Sequence, residues 1–116
     1  MAILRKEPGY ERYIQVVAEA DAVSISSVNL LESYLVLGNK LSEVDTLIDS
    51  GGILVCDFTS LTCSIARHAF LKYGKGRHKA ALNICDCAAY ATAKELNVPL
   101  LYQGNDFALT DIVSAL

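Results

Sequence analysis

The sequence predicts a parallel α/β domain in which short strands alternate with helices. Three stretches carry that reading. Residues 53–57, Ile-Leu-Val-Cys-Asp, are the clearest strand by β-branched content. Residues 83–111 hold Ile84, Cys87, Ala88 and Ala91 at helical spacing, then the compact apolar run Leu100, Leu101 and Tyr102 after Val98-Pro99. Between these and the earlier elements the connections are short, which is the pattern of strands joined by helical crossovers.

The elements follow in order. Ala2 to Arg5 reads as the tail of a helix, and Glu7-Pro8-Gly9 breaks the chain. Residues 10–20 place Tyr10, Tyr13, Ile14, Val17 and Ala20 on one stripe, an amphipathic helix expected to pack on a sheet. Residues 22–25 read as a short strand. Ser26 or Ser27 supplies an N-cap for a helix ending near Gly38, with Val28, Leu31 and Leu35 as its apolar stripe. Glu32 emerges within that stripe, an uncomfortable place for a charge. A helix over 42–50 carries Val44, Leu47 and Ile48 and ends at Gly51-Gly52. After the strand at 53–57, Thr59 or Ser60 caps a helix through Ile65, Ala66, Ala69 and Phe70. Residues 72–79, Lys-Tyr-Gly-Lys-Gly-Arg-His-Lys, form an exposed basic loop leading into residues 83–111.

A chain of 116 residues with 53% apolar content makes one domain, residues 1–116, with ample material for a core. No apolar run approaches the ~20 residues of a membrane span, and the first residues lack a signal peptide's apolar region, so a soluble, cytoplasmic protein is expected. A net charge of −3 argues against a broad basic surface for nucleic acid, while a local basic patch can still hold phosphates. The four cysteines, at 56, 63, 85 and 87, lack the paired spacing of a zinc site and read as free thiols.

Asp106 follows the apolar run at 100–102, the strand end where parallel sheets collect ligands. Asp86 lies in the first turn of the preceding helix and approaches the same edge. With Glu32, these carboxylates suit a hard divalent cation such as Mg²⁺ or Mn²⁺, which takes oxygen ligands plus water and a substrate phosphate. Each acid also has an ordinary structural use: Asp86 at a helix N-terminus, Glu32 at a stripe edge, Asp106 in an Asx turn. Lys75 and Arg77, on glycine-flanked backbone, suit phosphate contact, against the plainer reading of a solvated charge run. His68 and His78 have no orienting acid that would activate Cys63 or Cys85 as a nucleophile.

The segment K-Y-G-K-G-R-H-K-A-A-L-N-I-C-D-C-A-A-Y-A-T-A-K-E-L-N-V-P-L-L-Y-Q-G-N-D-F-A-L-T-D-I, positions 72 to 112, resembles the C-terminal half of PIN-domain ribonucleases of the VapC toxin type. S-S-V-N-L-L-E-S at 26 to 33 and E-P-G-Y-E-R-Y at 7 to 13 extend the likeness over nearly the whole chain. The resemblance implies a PIN-like three-layer domain, a small parallel sheet flanked by helices. It also implies a Mg²⁺- or Mn²⁺-dependent endoribonuclease acting on RNA, restrained by a cognate antitoxin and dimeric, with its acidic site at Glu32, Asp86 and Asp106. Two departures stand out. Cys85-Asp86-Cys87 replaces the usual Gly-Asp-Cys, and the family's first strand, ending in Asp-Thr-Ser-Ala ahead of A-I-L-x-x-E-P, has no counterpart before Met1-Ala2-Ile3-Leu4. The expectation is therefore a domain missing its first central strand and leading aspartate, feebly active or inactive. The alternative is a catalytically inactive binding and dimerisation module.

Overall fold

The computed structural model describes residues 2–116, without the side chain of Ala2. The chain divides into two compact units, Met1–Cys56 and Asp57–Leu116.

In the first unit, α1 (Ala2–Arg5) and α2 (Tyr10–Glu19) flank the Pro-Gly break, with Gly9 at φ 84° as the N-cap of α2. A left-handed residue there turns the chain sharply enough to start a second helix at once, a conformation glycine adopts without steric cost. The expected stripe on α2 is only half covered: Tyr13 and Val17 are half-buried, and Ile14 is exposed. The strand foreseen at 22–25 forms as the shorter β1 (Ser24–Ser26), starting two residues later and ending one residue later. Ser26 ends it and caps α3 (Ser27–Val36), its Oγ accepting from the Val28 N–H at 3.1 Å.

A short 3₁₀ turn, Gly38–Lys40, leads into α4 (Leu41–Ser50), whose Val44 is buried. Then β2 (Leu54–Cys56) pairs in parallel with β1, Ser24 opposite Leu54 and Ser26 opposite Cys56. One expectation is corrected here. The α3 stripe is not buried, since Leu31 and Leu35 are 56% and 74% exposed, and the apolar Leu54 and Val55 of β2 are exposed as well. The cause is area: two strands of three residues span roughly 10 Å by 5 Å, too small a face to cover a ten-residue helix.

The second unit is a helical hairpin wrapped by its own loops. Thr59 caps α5 (Ser60–Tyr73) in a reciprocal box with Thr62, and Asn83 caps α6 (Ile84–Leu96) in a reciprocal box with Asp86. Thr62, buried, donates from Oγ1 to Glu95 Oε1 at 2.6 Å, which ties the start of α5 to the end of α6 and fixes the pair as antiparallel. Alanines 66, 69, 91 and 93 allow the helices to pack closely, and Tyr73, Leu82, Tyr90, Phe107 and Ile112 complete the core. Asn97 ends α6 in the left-handed conformation at φ 55°.

The strand expected at 100–102 is a further correction. It is one bridge, Leu100 with Ser114, held by the Leu100 N–H to Val113 O bond at 2.8 Å and the Ala115 N–H to Leu100 O bond at 2.9 Å. Pro99 has no N–H to extend the ladder backward, and Tyr102 turns its ring onto Phe107, centroids 5.3 Å apart, instead of continuing it forward. The run is apolar because it joins the core. It does not pair as a strand.

Candidate functional site

Asp86 occupies the third position of α6, where its Oδ2 accepts from the Asn83 N–H at 3.0 Å while Asn83 Oδ1 accepts from the Asp86 N–H at 2.9 Å. The box orients this half-buried carboxylate at a helix N-terminus, which favours its charge. Asp106 is exposed at the head of the 3₁₀ turn Phe107–Leu109, where its main-chain carbonyl accepts from Leu109 N–H and its side chain makes no capping bond. Glu32 sits half-buried on α3, in the first unit. Among the described residues no three His, Cys, Asp or Glu side chains are gathered closely enough to hold a metal ion.

The basic loop is more ordered than a solvated charge run. Helix α5 continues through Tyr73, so Lys72 is helical and the loop proper begins at Gly74. Leu82 closes it, donating from its N–H to Tyr73 O at 3.0 Å and accepting from Lys75 N–H at 3.1 Å, while Gly74 O accepts from the N–H groups of both Arg77 and His78. A Cβ at Gly74 would lie 2.4 Å from Phe70 O, so only glycine fits this closure. Arg77 rests its guanidinium over the Phe70 ring at 5.6 Å, and His78 meets the Tyr73 ring edge-on at 5.1 Å. Lys75 and Arg77 are thus both exposed and carried on a fixed frame.

A polar cluster that the sequence reading missed lies between α6 and the residues after the 3₁₀ turn. Tyr90 donates from its hydroxyl to Asp111 Oδ1 at 2.6 Å, and Lys94 Nζ lies 3.1 Å from Asp111 Oδ2. The only signal in the sequence was spacing: Asp86, Tyr90 and Lys94 recur every four residues along one side of the helix. Burial, and then the bond to Asp111, push the Tyr90 phenol well above its usual range, while the Tyr90 hydroxyl and then Lys94 hold the Asp111 carboxyl below its own. The Tyr90–Asp111 bond therefore stabilises the fold above the ordinary carboxylate range, and that contribution is lost as acid protonates Asp111. At the alkaline end it fades once pH exceeds the unfolded phenol's value near 10, because the unfolded chain then releases a proton that the folded one keeps. Tyr90→Phe is expected to lower stability by about 1–2 kcal/mol at neutral pH. Melts at neutral and acid pH check this: the gap to wild type should shrink in acid, and a gap independent of pH would remove the charged partner from the explanation.

The thiol of Cys87 is pushed up by burial and then by Asp86 beside it, which keeps it protonated and unreactive. Among the described residues all four cysteines are free, and no helix is long and apolar enough to cross a membrane.

Residues 1–113 match the family described as PIN domain. The chain is 36% identical over 122 residues to Ribonuclease VapC28 of Mycobacterium tuberculosis, covering 100% of this chain and 92% of that protein. It is 34% identical over 119 residues to Ribonuclease VapC of Mycolicibacterium smegmatis, covering 98% of this chain and 92% of that one. Over a shorter stretch of 61 residues, 53% of this chain and 44% of the relative, identity to Ribonuclease VapC36 of Mycobacterium tuberculosis rises to 52%. With likeness running through both units and through the helix that holds Asp86, the chain belongs to the PIN domain family, in its VapC branch.

Proposed function

We propose that the chain is an endoribonuclease of VapC type, the toxin of a toxin–antitoxin pair, hydrolysing RNA phosphodiester bonds with a Mg²⁺ or Mn²⁺ ion held by Glu32, Asp86 and Asp106. The observation that carries this is the match to proteins named Ribonuclease VapC over 92% of their length. The donor set fits the ion: all three groups are carboxylates, and Mg²⁺ commonly binds through one or two such groups plus water and substrate phosphate. When bound, the ion lowers the pKa of a water and neutralises charge on the phosphoryl oxygens. The chain's own residues contribute position. The capping box holds the Asp86 carboxylate in one orientation. Arg77 keeps its N–H edges for phosphate while its face rests on Phe70, and Lys75 adds a point charge from the same frame.

The exposed apolar side chains of α3, Leu31, Leu35 and Val36, support a protein partner, either the antitoxin or a second copy in a homodimer. The cytoplasm is the compartment where RNA and antitoxin would meet the protein. A second reading, an inactive binding and dimerisation module, is favoured by the capping bond that already engages Asp86.

Incubation of the purified chain with RNA, with and without Mg²⁺ or Mn²⁺, separates the two readings. Cleavage that appears only with the ion supports the nuclease. Partner binding with no cleavage under any ion supports the module. The melt offers a readout apart from activity: at a hundred-fold excess over Kd the ion stabilises the folded state by about 2.7 kcal/mol, a rise of roughly 10 °C for a domain of this size. Calcium, which takes more oxygens at longer distances, should raise it less where the site demands octahedral geometry. A melt indifferent to every divalent ion would remove the metal from this reading.

A further inference from the structure

Asp106 depends for its position on the backbone that carries it, because its side chain makes no capping bond and enters no ion pair among the described residues. Upstream, that backbone is loosely tied. Gly104 turns it in the left-handed conformation at φ 90°, and among the described residues no backbone hydrogen bond joins residues 101–105 to another element.

Downstream, the chain is fastened in three steps. Phe107 is buried in the core, its ring beside Tyr102. Thr110 Oγ1 donates to Phe107 O at 2.7 Å and accepts from the Ile112 N–H at 3.2 Å, which closes the turn on itself. Asp111 then fixes the closed turn to α6, accepting at Oδ1 from the Tyr90 hydroxyl at 2.6 Å and at Oδ2 from Lys94 Nζ at 3.1 Å. The three contributions differ in kind. Burial of Phe107 and Ile112 holds the segment against the core without direction, whereas the two bonds of Asp111 have a direction and a length, so they set its register along the helix.

That register bears on the acids. Asp86, Tyr90 and Lys94 lie on one side of α6 at four-residue spacing, so the fastening at Tyr90 begins one turn, about 6 Å along the axis, from Asp86. At the other end only five residues separate Asp111 from Asp106, and Phe107–Leu109 among them form the 3₁₀ turn. Asp111 itself is a poor ligand, because a cation would have to displace the Lys94 ammonium from it.

We propose that Asp111 is a positioning residue for the metal site: its bonds to Tyr90 and Lys94 hold the 106–111 segment in register with α6 and so set Asp106 relative to Asp86, without Asp111 touching the ion. The inference rests on the reading of Asp86 and Asp106 as ligands of one ion. An ion shared by two acids needs both in place at once, so its apparent Kd rises as the fraction of chains with the segment in register falls. Groups behind the ligands of a metal commonly change its affinity or activity by about 10–100-fold.

The test is a Mn²⁺ titration of the full chain followed by amide NMR, in which the paramagnetic ion broadens nearby signals and so reports both affinity and place, with melts alongside. Asp111→Ala removes both bonds. Asp111→Asn keeps an oxygen for the Tyr90 hydroxyl, and the exposed Lys94 can turn to water. The two variants have the same net charge, so the pair separates the fastening from electrostatics. Wild type should broaden around residues 84–88 and 104–108 together. Asp111→Ala should bind Mn²⁺ about ten-fold or more weakly, with broadening at 104–108 lost before that at 84–88, and Asp111→Asn should stay within about three-fold of wild type. If Asp111→Ala fails to fold, Tyr90→Phe, which keeps every charge and the Lys94 bond, takes its place with about two- to five-fold weakening expected. Wild-type affinity in the folded variant, Asp111→Ala or Tyr90→Phe, would overturn the inference and leave the metal reading standing. Equal weakening by Asp111→Ala and Asp111→Asn would overturn it too, because charge then accounts for the loss. Wild type broadened at 84–88 and not at 104–108 would remove Asp106 from the ion and the inference with it, and wild type with no broadening at all would overturn both the inference and the metal reading.

Discussion

Asp86→Asn is expected to cut metal-dependent RNA cleavage by at least about 100-fold while leaving the fold almost unchanged, since even losses around a metal's ligands cost 10–100-fold. The substitution is informative because Asp86 has two jobs that asparagine separates. In the capping box it accepts from the Asn83 N–H, and an amide oxygen accepts that bond equally well. What asparagine lacks is the charge, which at a helix N-terminus stabilises by about 0.3–1 kcal/mol and which a hard cation requires. Asp86→Ala removes both jobs and should cost a further ~1 kcal/mol for the lost cap. Cleavage assays and melts of the two variants together decide the matter. If Asp86→Asn cleaves like wild type, the carboxylate serves the helix and the catalytic reading of Asp86 is lost.

The same residue illustrates what the sequence discloses. Its place in the first turn of a helix follows from Asn83 three residues earlier, because caps are local: one side chain, one backbone N–H and a fixed spacing. For the same reason Ser26 and Thr59 were readable as caps, and the helices they open form where expected. Strands were read less well, because pairing is not local. Residues 100–102 have the apolar character of a strand, yet whether they pair depends on what lies beside them, and only Leu100 finds a partner. Leu31 and Leu35 have the spacing of a core stripe, yet burial depends on the area available to cover them. The Tyr90–Asp111–Lys94 cluster was out of reach for a related reason. It joins residues 21 and 17 positions apart, and no local rule links a tyrosine in a helix to an acid after a turn. The acids themselves were legible as residue types suited to a cation, and the family likeness supplied their grouping.

Leu82→Ala is expected to produce the largest loss of stability of any single change considered, about 2–5 kcal/mol, because Leu82 is fully buried and the truncation leaves a cavity in the core of the second unit. For a domain whose total stability lies within roughly 5–15 kcal/mol, that is a large fraction, and the melt should fall by roughly 10–20 °C. The effect should reach the basic loop as well. Leu82 closes that loop through two backbone bonds, to Tyr73 O and from Lys75 N–H, so a shift of its backbone into the cavity loosens the frame that carries Lys75 and Arg77. RNA affinity should therefore weaken in a variant that retains every charged side chain. Leu82→Met, which conserves volume, should cost less than about 1.5 kcal/mol and leave RNA affinity near wild type. The comparison separates packing from charge: if Leu82→Ala melts near wild type, the side chain is not a core anchor. If it melts low but binds RNA as well as Leu82→Met, the loop keeps its shape without Leu82 and its order comes from the Gly74 carbonyl alone.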